Sequence, residues 1–313
     1  MRNKKFKMVL LLATVLSCVS TQNVLAADIN NLSDLTNQNN YTSNATLNIK
    51  RNINLGSNAK DGALLPYIQN ATNVVVNGNG RTISGQLQAQ EDGDGLLIPA
   101  HYLIDNSQVS FNSIIFDSIT TNCISSQGIT TRNYTIDGGL FNNISGQLQL
   151  DNVTVSKNDH HVDITRADYA DIGSYINGGV INSSSSTTLN NVNFEKNTVY
   201  TRAYKNYGSV MIGSPDINSK IVGGLIYNNS NENSTANLEI KDGTFSSNVV
   251  RATTGNEYNN GNQSASILGG LIYNNGNLSI DGTSFNSNTV YVNVPEGSAT
   301  ALGQIFIMIL IAL

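Results

Sequence analysis

The 313-residue chain has no tryptophan, four prolines and two cysteines, and only 12% of it is charged. Two cysteines, Cys18 and Cys123, cannot supply a disulfide framework, so the fold must hold through packing and hydrogen bonds. The net charge of −5 leaves no basic stripe to neutralise phosphates, and nucleic acid is not an expected partner. Long apolar runs are scarce as well. Met8 to Val19 is apolar but stops at Ser20-Thr21-Gln22-Asn23, short of the roughly 20 residues a membrane-spanning helix needs.

That first run has another reading. Arg2, Lys4, Lys5 and Lys7 precede it, and Val24-Leu25-Ala26 follows as a small-residue cleavage site. Residues 1–26 therefore read as a signal peptide cut after Ala26 or Ala27, and the mature chain as exported. Val15-Leu16-Ser17-Cys18 also leaves open a lipidated Cys18. Removing the four basic residues takes the formal charge from −5 to −9. Cys123, the one cysteine left, reads as a small buried hydrophobe in a strand.

What fills the chain is asparagine, with serine, threonine and glycine. Asparagine tolerates the left-handed turn conformation, and identical asparagines can stack as hydrogen-bonded ladders. Within this polar background a pattern returns. Gly138-Gly139, Gly178-Gly179, Gly223-Gly224 and Gly269-Gly270 each open an apolar strand, and their starts are 40, 45 and 46 residues apart. About 20 residues after each opening comes a Phe-x-x-Asn segment: Phe194 to Asn197, Phe245 to Asn248 and Phe285 to Asn288, with Val155 to Asn158 as a degenerate copy. Such a period marks stacked repeats, each unable to bury its apolar face alone.

A cryptic copy lies upstream. Leu103-Ile104-Asp105-Asn106 aligns with Leu271-Ile272-Tyr273-Asn274, and after a one-residue gap Val109-Ser110-Phe111 aligns with Leu278-Ser279-Ile280. Phe116 to Ile119 then stands where Phe-x-x-Asn belongs. Further towards the N-terminus, Ala45 to Ile49 and Ile53 to Gly56 alternate as half-buried strands do. The Asn77-Gly78-Asn79-Gly80 corner lets Thr82-Ile83 re-enter the core. Residues 28–38 place apolar residues three apart, as suits a short turn or helix capping the first layer.

The predicted fold is all-β: a right-handed parallel β-helix of about five two-rung units over residues 27–303, with a short N-terminal cap and protruding inter-rung loops. Ala301-Leu302-Gly303-Gln304-Ile305-Phe306 echoes Ile267 to Ile272, and residues 304–313 form an apolar tail. A reading-frame slip would make that tail, and a genuine hydrophobic cap is the alternative.

The alternation of Gly-Gly-[Leu/Val]-Ile with Phe-x-x-Asn over about residues 100–303 resembles the repeat of the polymorphic outer membrane protein family of autotransporter adhesins. The resemblance implies a secreted or surface-exposed passenger, attached to a separately encoded outer-membrane barrel because the chain carries no C-terminal translocator of its own.

Function is expected in the inserts 159–177, 198–222, 249–268 and 289–302. Tyr200, Tyr204, Tyr207 and Tyr258, among Asn, Ser and Gly, have the composition of an adaptable recognition surface for a host glycan or protein. Asp159, His161 and Asp163 alternate, so an extended strand would put them on one face as a metal site; a solvated acidic loop is the other reading. Glu91-Asp92-Gly93-Asp94-Gly95 offers hard oxygens for calcium, with too few ligands for a defined loop. No recurring carboxylate pair and no Ser/His/Asp or Cys/His set is visible, so an enzyme is not expected and no cofactor is implied. A polysaccharide lyase or hydrolase on the same scaffold, or a gene fragment without function, remain the alternatives. The chain is expected to be a monomer.

Overall fold

The computed structural model describes residues 26–57, 62–87, 89–91, 97–99, 101–125, 133–166, 171–206, 215–231, 234–256, 262–295, 297–303 and 306–308. Their regular structure is almost entirely β. One helix, Leu32–Thr36, and a single 3-10 turn, Gln38–Asn40, sit near the N-terminus. The strands form a 17-stranded, a seven-stranded and a five-stranded sheet, all with parallel pairing, plus one antiparallel pair, Ala89–Glu91 with Leu97–Pro99.

The chain visits the three parallel sheets in a fixed order. Ile172–Asn177 lies in the five-stranded sheet and Ile181–Ser183 in the seven-stranded one. Ser186–Asn190, Asn193–Glu195 and Thr198–Lys205 then lie in the large sheet, before Asp216–Val222 returns to the five-stranded sheet. Each strand pairs with its counterpart in the next repeat: Ile176 with Ile221, Ile181 with Ile226, Leu189 with Ile240, Phe194 with Phe245. This arrangement is compatible with a parallel β-helix. One repeat thus makes one layer, where the sequence suggested two. The Gly-Gly strand and the Phe-x-x-Asn segment share a layer and lie in different sheets.

The glycine pair divides two tasks. The first glycine, with φ of 67°, 62°, 60° and 78° at Gly138, Gly178, Gly223 and Gly269, turns the chain from the five-stranded into the seven-stranded sheet. The second allows backbones to close up: a Cβ on Gly179 would lie 2.5 Å from the Gly224 carbonyl oxygen, and one on Gly224 2.5 Å from that of Gly270.

The Phe-x-x-Asn segment is a bend. Phe194, Phe245 and Phe285 stack in one column, with ring centroids 4.7 and 4.8 Å apart. The residue before each asparagine is left-handed: Lys157, Lys196, Ser247 and Ser287, at φ 52–56°. The asparagine then turns inward and grips the layer below. Asn197 Nδ2 donates to the Val155 carbonyl at 2.8 Å, while its Oδ1 accepts the Asn158 amide at 3.1 Å. Asn248 does the same to Phe194 and Asn197, and Asn288 to Phe245 and Asn248.

Apolar side chains fill a continuous core from Ile29 to Ile272. Tyr102, Phe111, Phe116 and Phe141 cluster where the cryptic copy stacks on the first Gly-Gly layer. Cys123 is fully buried in the strand Gln108–Ser125. Asparagine ladders run outside the core, as in Asn48–Asn77–Asn112 with 3.2 Å links, and left-handed asparagines mark corners such as Asn73 and Asn79.

Three sequence expectations need correcting. The inserts do not protrude as loops; they are mostly strands, Asp159–Arg166 with Ile172–Asn177 in the first and the equivalent pairs in the others. Their polar composition hides an inward-facing set that includes His160, Thr201 and Lys205. The cryptic copy exists, and Val109, Phe111 and Phe116 stack in register with Leu148, Leu150 and Val155. Its first strand, however, is shifted by two residues. Leu103 pairs into the column of Asn142, Asn182, Tyr227 and Tyr273, because Tyr102 occupies the core position that Ile272 fills later. At the N-terminus, the helix Leu32–Thr36 buries Leu35, with Asn31 capping it, and the strand Ala26–Ile29 precedes it.

At the other end, the Ala301–Phe306 echo continues the pattern: Leu302 pairs with Leu268 and Phe306 with Ile272. The signal-peptide reading falls on residues outside those described, apart from Ala26, and so does most of the apolar tail.

Candidate functional site

The strands that follow each Phe-x-x-Asn bend, Asp159–Arg166, Thr198–Lys205, Val249–Asn256 and Thr289–Asn293, pair in parallel and in register. Alternation turns every second residue outward. The outer face therefore carries two adjacent columns, His161–Tyr200–Arg251–Tyr291 and Asp163–Arg202–Thr253–Asn293.

In the first column a guanidinium sits between two phenols. Arg251 Cζ is 5.0 Å from the Tyr200 ring centroid and 5.2 Å from that of Tyr291. The rings hold the cation by their quadrupoles, worth about 0.5–1 kcal/mol each at an exposed site. The buried Arg251 Nε has no hydrogen-bond partner, and Tyr200 Oη is fixed 3.3 Å from Thr253 Oγ1. The neighbouring column is neutralised. Arg202 Nε donates to Asp163 Oδ1 at 2.8 Å and its Nη2 reaches Thr165 Oγ1 at 3.3 Å. Burial opposes the charge on Arg202, but the Asp163 carboxylate outweighs it and raises the guanidinium pKa above its ordinary value. Arg202 Cζ also lies 5.8 Å from the Tyr204 ring, which rests against Gly255, where a Cβ would come within 3.3 Å of Tyr204 Cδ2.

The structure thus brings Tyr200 and Tyr204 onto one rigid strand face together with Asp159, His161 and Asp163. Tyr207 and Tyr258 lie outside the described residues, as do Asp92 to Gly95 of the calcium reading. Alternation does place the three metal candidates on one face, yet they are engaged separately. His161 Nδ1 is 3.3 Å from Asp159 Oδ1, and Asp163 is bound to Arg202. Burial works against the Asp159 charge, but hydrogen bonding and charge from His161 outweigh it and lower its pKa. Among the described residues no group of three His, Cys, Asp or Glu side chains could hold a metal ion. The sequence reading missed Arg202, Arg251 and their stacking. The signal was present in Tyr200-Thr201-Arg202-Ala203-Tyr204, whose alternation aims both rings and the cation to one side.

No family model matches the chain, and no curated protein matches it in sequence. Among the described residues no helix is long and apolar enough to cross a membrane.

Proposed function

We propose that the chain is an exported, adhesin-like protein built as a right-handed parallel β-helix. It attaches to a host-surface glycan or protein bearing carboxylates, through the column Tyr200–Arg251–Tyr291. Three parallel sheets visited in fixed order support the β-helix, and parallel crossovers are overwhelmingly right-handed. The basic, apolar and small-residue order of residues 1–26 supports export. The Gly-Gly and Phe-x-x-Asn alternation supports the likeness to autotransporter adhesin repeats and hence a surface location.

The observation that carries the binding role is the Arg251 guanidinium, stacked between rings and with no acidic partner among the described residues. A guanidinium held flat presents a donor fork that matches a carboxylate bidentately, and the stacked phenols remove the entropy it would otherwise lose on binding. Tyrosines anchored on strands supply contact area at low conformational cost. No cofactor enters this function.

The test is binding of the full chain to cultured cells and to arrays of acidic and neutral glycans. Arg251→Ala is expected to weaken binding about tenfold or more, in line with the loss of a charged hydrogen bond of roughly 1.5–3 kcal/mol. Thr165→Ala, on the same face but away from the free cation, should leave it unchanged. Equal binding by wild type and Arg251→Ala would reject the assignment.

A further inference from the structure

We propose that the five-stranded sheet carries a second site, for a neutral saccharide, around Gln263. The strand Asn262–Leu268 stacks on Asp216–Val222 in register, so Gln263 lies over Ile217. In the large sheet Thr254 likewise lies over Ala203. One layer down, Ile172, Ala203 and Ile217 form a small apolar cluster of their own. The next layer replaces the apolar pair with a carboxamide and a hydroxyl. Gln263 is 3% exposed and Thr254 4% exposed. Neither Gln263 Oε1, Gln263 Nε2 nor Thr254 Oγ1 has a hydrogen-bond partner. Leaving three such atoms unpaired is unfavourable for folding, whereas leucine and valine would fill the same places without that penalty. Buried groups held unpaired against stability are what a ligand site contains before its ligand arrives.

Gln263 also lines an open groove of about 370 Å³, inside the roughly 300–1,000 Å³ of small-ligand sites. Around it stand the amides of Asn218 and Asn262, the hydroxyls of Ser264 and Ser298, and the Asp216 carboxylate. Asn262 Nδ2 donates to Asp216 Oδ1 at 2.9 Å, which fixes both groups at the rim. Gly297 crosses the groove at φ 130°, and a Cβ there would come within 2.2 Å of the Gln263 carbonyl oxygen, so no side chain obstructs it.

The donor set selects the ligand. No Lys or Arg is among the described lining residues, which disfavours an anion. A single carboxylate beside amide N–H groups is a poor cage for a hard cation, which takes six to eight oxygens. The walls are too polar for an apolar guest. Carboxamides and hydroxyls both donate and accept, which is what the vicinal hydroxyls of a sugar ring require. The site shares no residue with the Tyr200–Arg251–Tyr291 column and stands whether or not that column binds anything.

The full chain is titrated with glucose, galactose, mannose, N-acetylglucosamine and lactose, read by saturation-transfer NMR and by the shift in Tm. At least one of these sugars should bind the wild type, and Gln263→Leu and Thr254→Val should each weaken it about tenfold. Without sugar, neither variant should melt below the wild type, since each removes an unpaired polar group. Arg251→Ala should bind the sugar as the wild type does. The proposal is overturned if none of the five sugars binds, if binding survives in both groove variants, or if Arg251→Ala abolishes it. A Tm rise with calcium chloride alone, lost in Gln263→Leu, would overturn the ligand class.

Discussion

His160 lies wholly inside the core with neither ring nitrogen hydrogen-bonded. Burial lowers its pKa from 6.5 to about 4, so the folded protein holds it neutral. Unfolded chains take up a proton below pH 6.5 that the fold refuses until about pH 4. Stability must therefore fall as pH drops through that window, by up to about 3 kcal/mol in total, and the histidine contributes no further loss below it. His101, also lowered to about 4 by burial, adds to the same slope. Asp159, with its pKa lowered, loses its stabilising charge only at more acid pH. His160 shares its column with Val199, Val250 and Val290. Its ring abuts Gly139 as Val199 abuts Gly179 in the next layer. His160→Val should thus be at least as stable as wild type at pH 7.5, and about 2–3 kcal/mol more stable relative to it at pH 4.5. Urea titrations at the two pH values would show this, and an unchanged acid slope would refute it.

At the scale of elements, the Phe-x-x-Asn bend ties each layer to the one beneath through one side chain. Asn197→Ala would remove the acceptor of the Asn158 amide and the donors to Val155 and Asn248. It would leave buried backbone groups unpaired, and should destabilise by about 2–4 kcal/mol in urea unfolding. Asn237→Ala, in the exposed ladder with Asn277, should stay within about 0.5 kcal/mol. Similar losses for the two variants would refute the bend as the tie. The recurrence of glycine pairs and of Phe-x-x-Asn was enough to foresee parallel strands in repeating register, because both motifs answer to backbone geometry. The post-bend strands were not legible. Their inward residues His160, Thr201, Lys205 and Thr254 are polar, so hydropathy does not alternate where the side chains do. Tyr200 and Tyr204 were singled out, but as loop residues; only the register puts Arg251 between Tyr200 and Tyr291. Gln263 gave no signal at all, since its burial depends on Ile217 beneath it, a residue from the preceding repeat.

Across the whole molecule, each layer touches mainly its neighbours, so protection should follow position along the stack. The inward residues of Asn237–Lys241 are buried, whereas those of Asn277–Asp281 and Thr289–Asn293 are half-exposed. Amides of the latter two strands should exchange with deuterium on the order of a hundredfold faster than those of Asn237–Lys241. Uniform protection would contradict a layer-by-layer hierarchy. The same design bears on how such a chain changes length over generations. Recombination between equivalent codons of two layers, as at Gly179 and Gly224, would add or delete a whole layer with the glycine turn, the phenylalanine column and the asparagine grip preserved. A crossover misplaced by one codon would invert the faces of every strand up to the next corner. Selection on repeat number can therefore act almost independently of selection on foldability, while the Tyr/Arg column and the Gln263 groove, each drawn from particular neighbouring layers, would be rearranged by the same event.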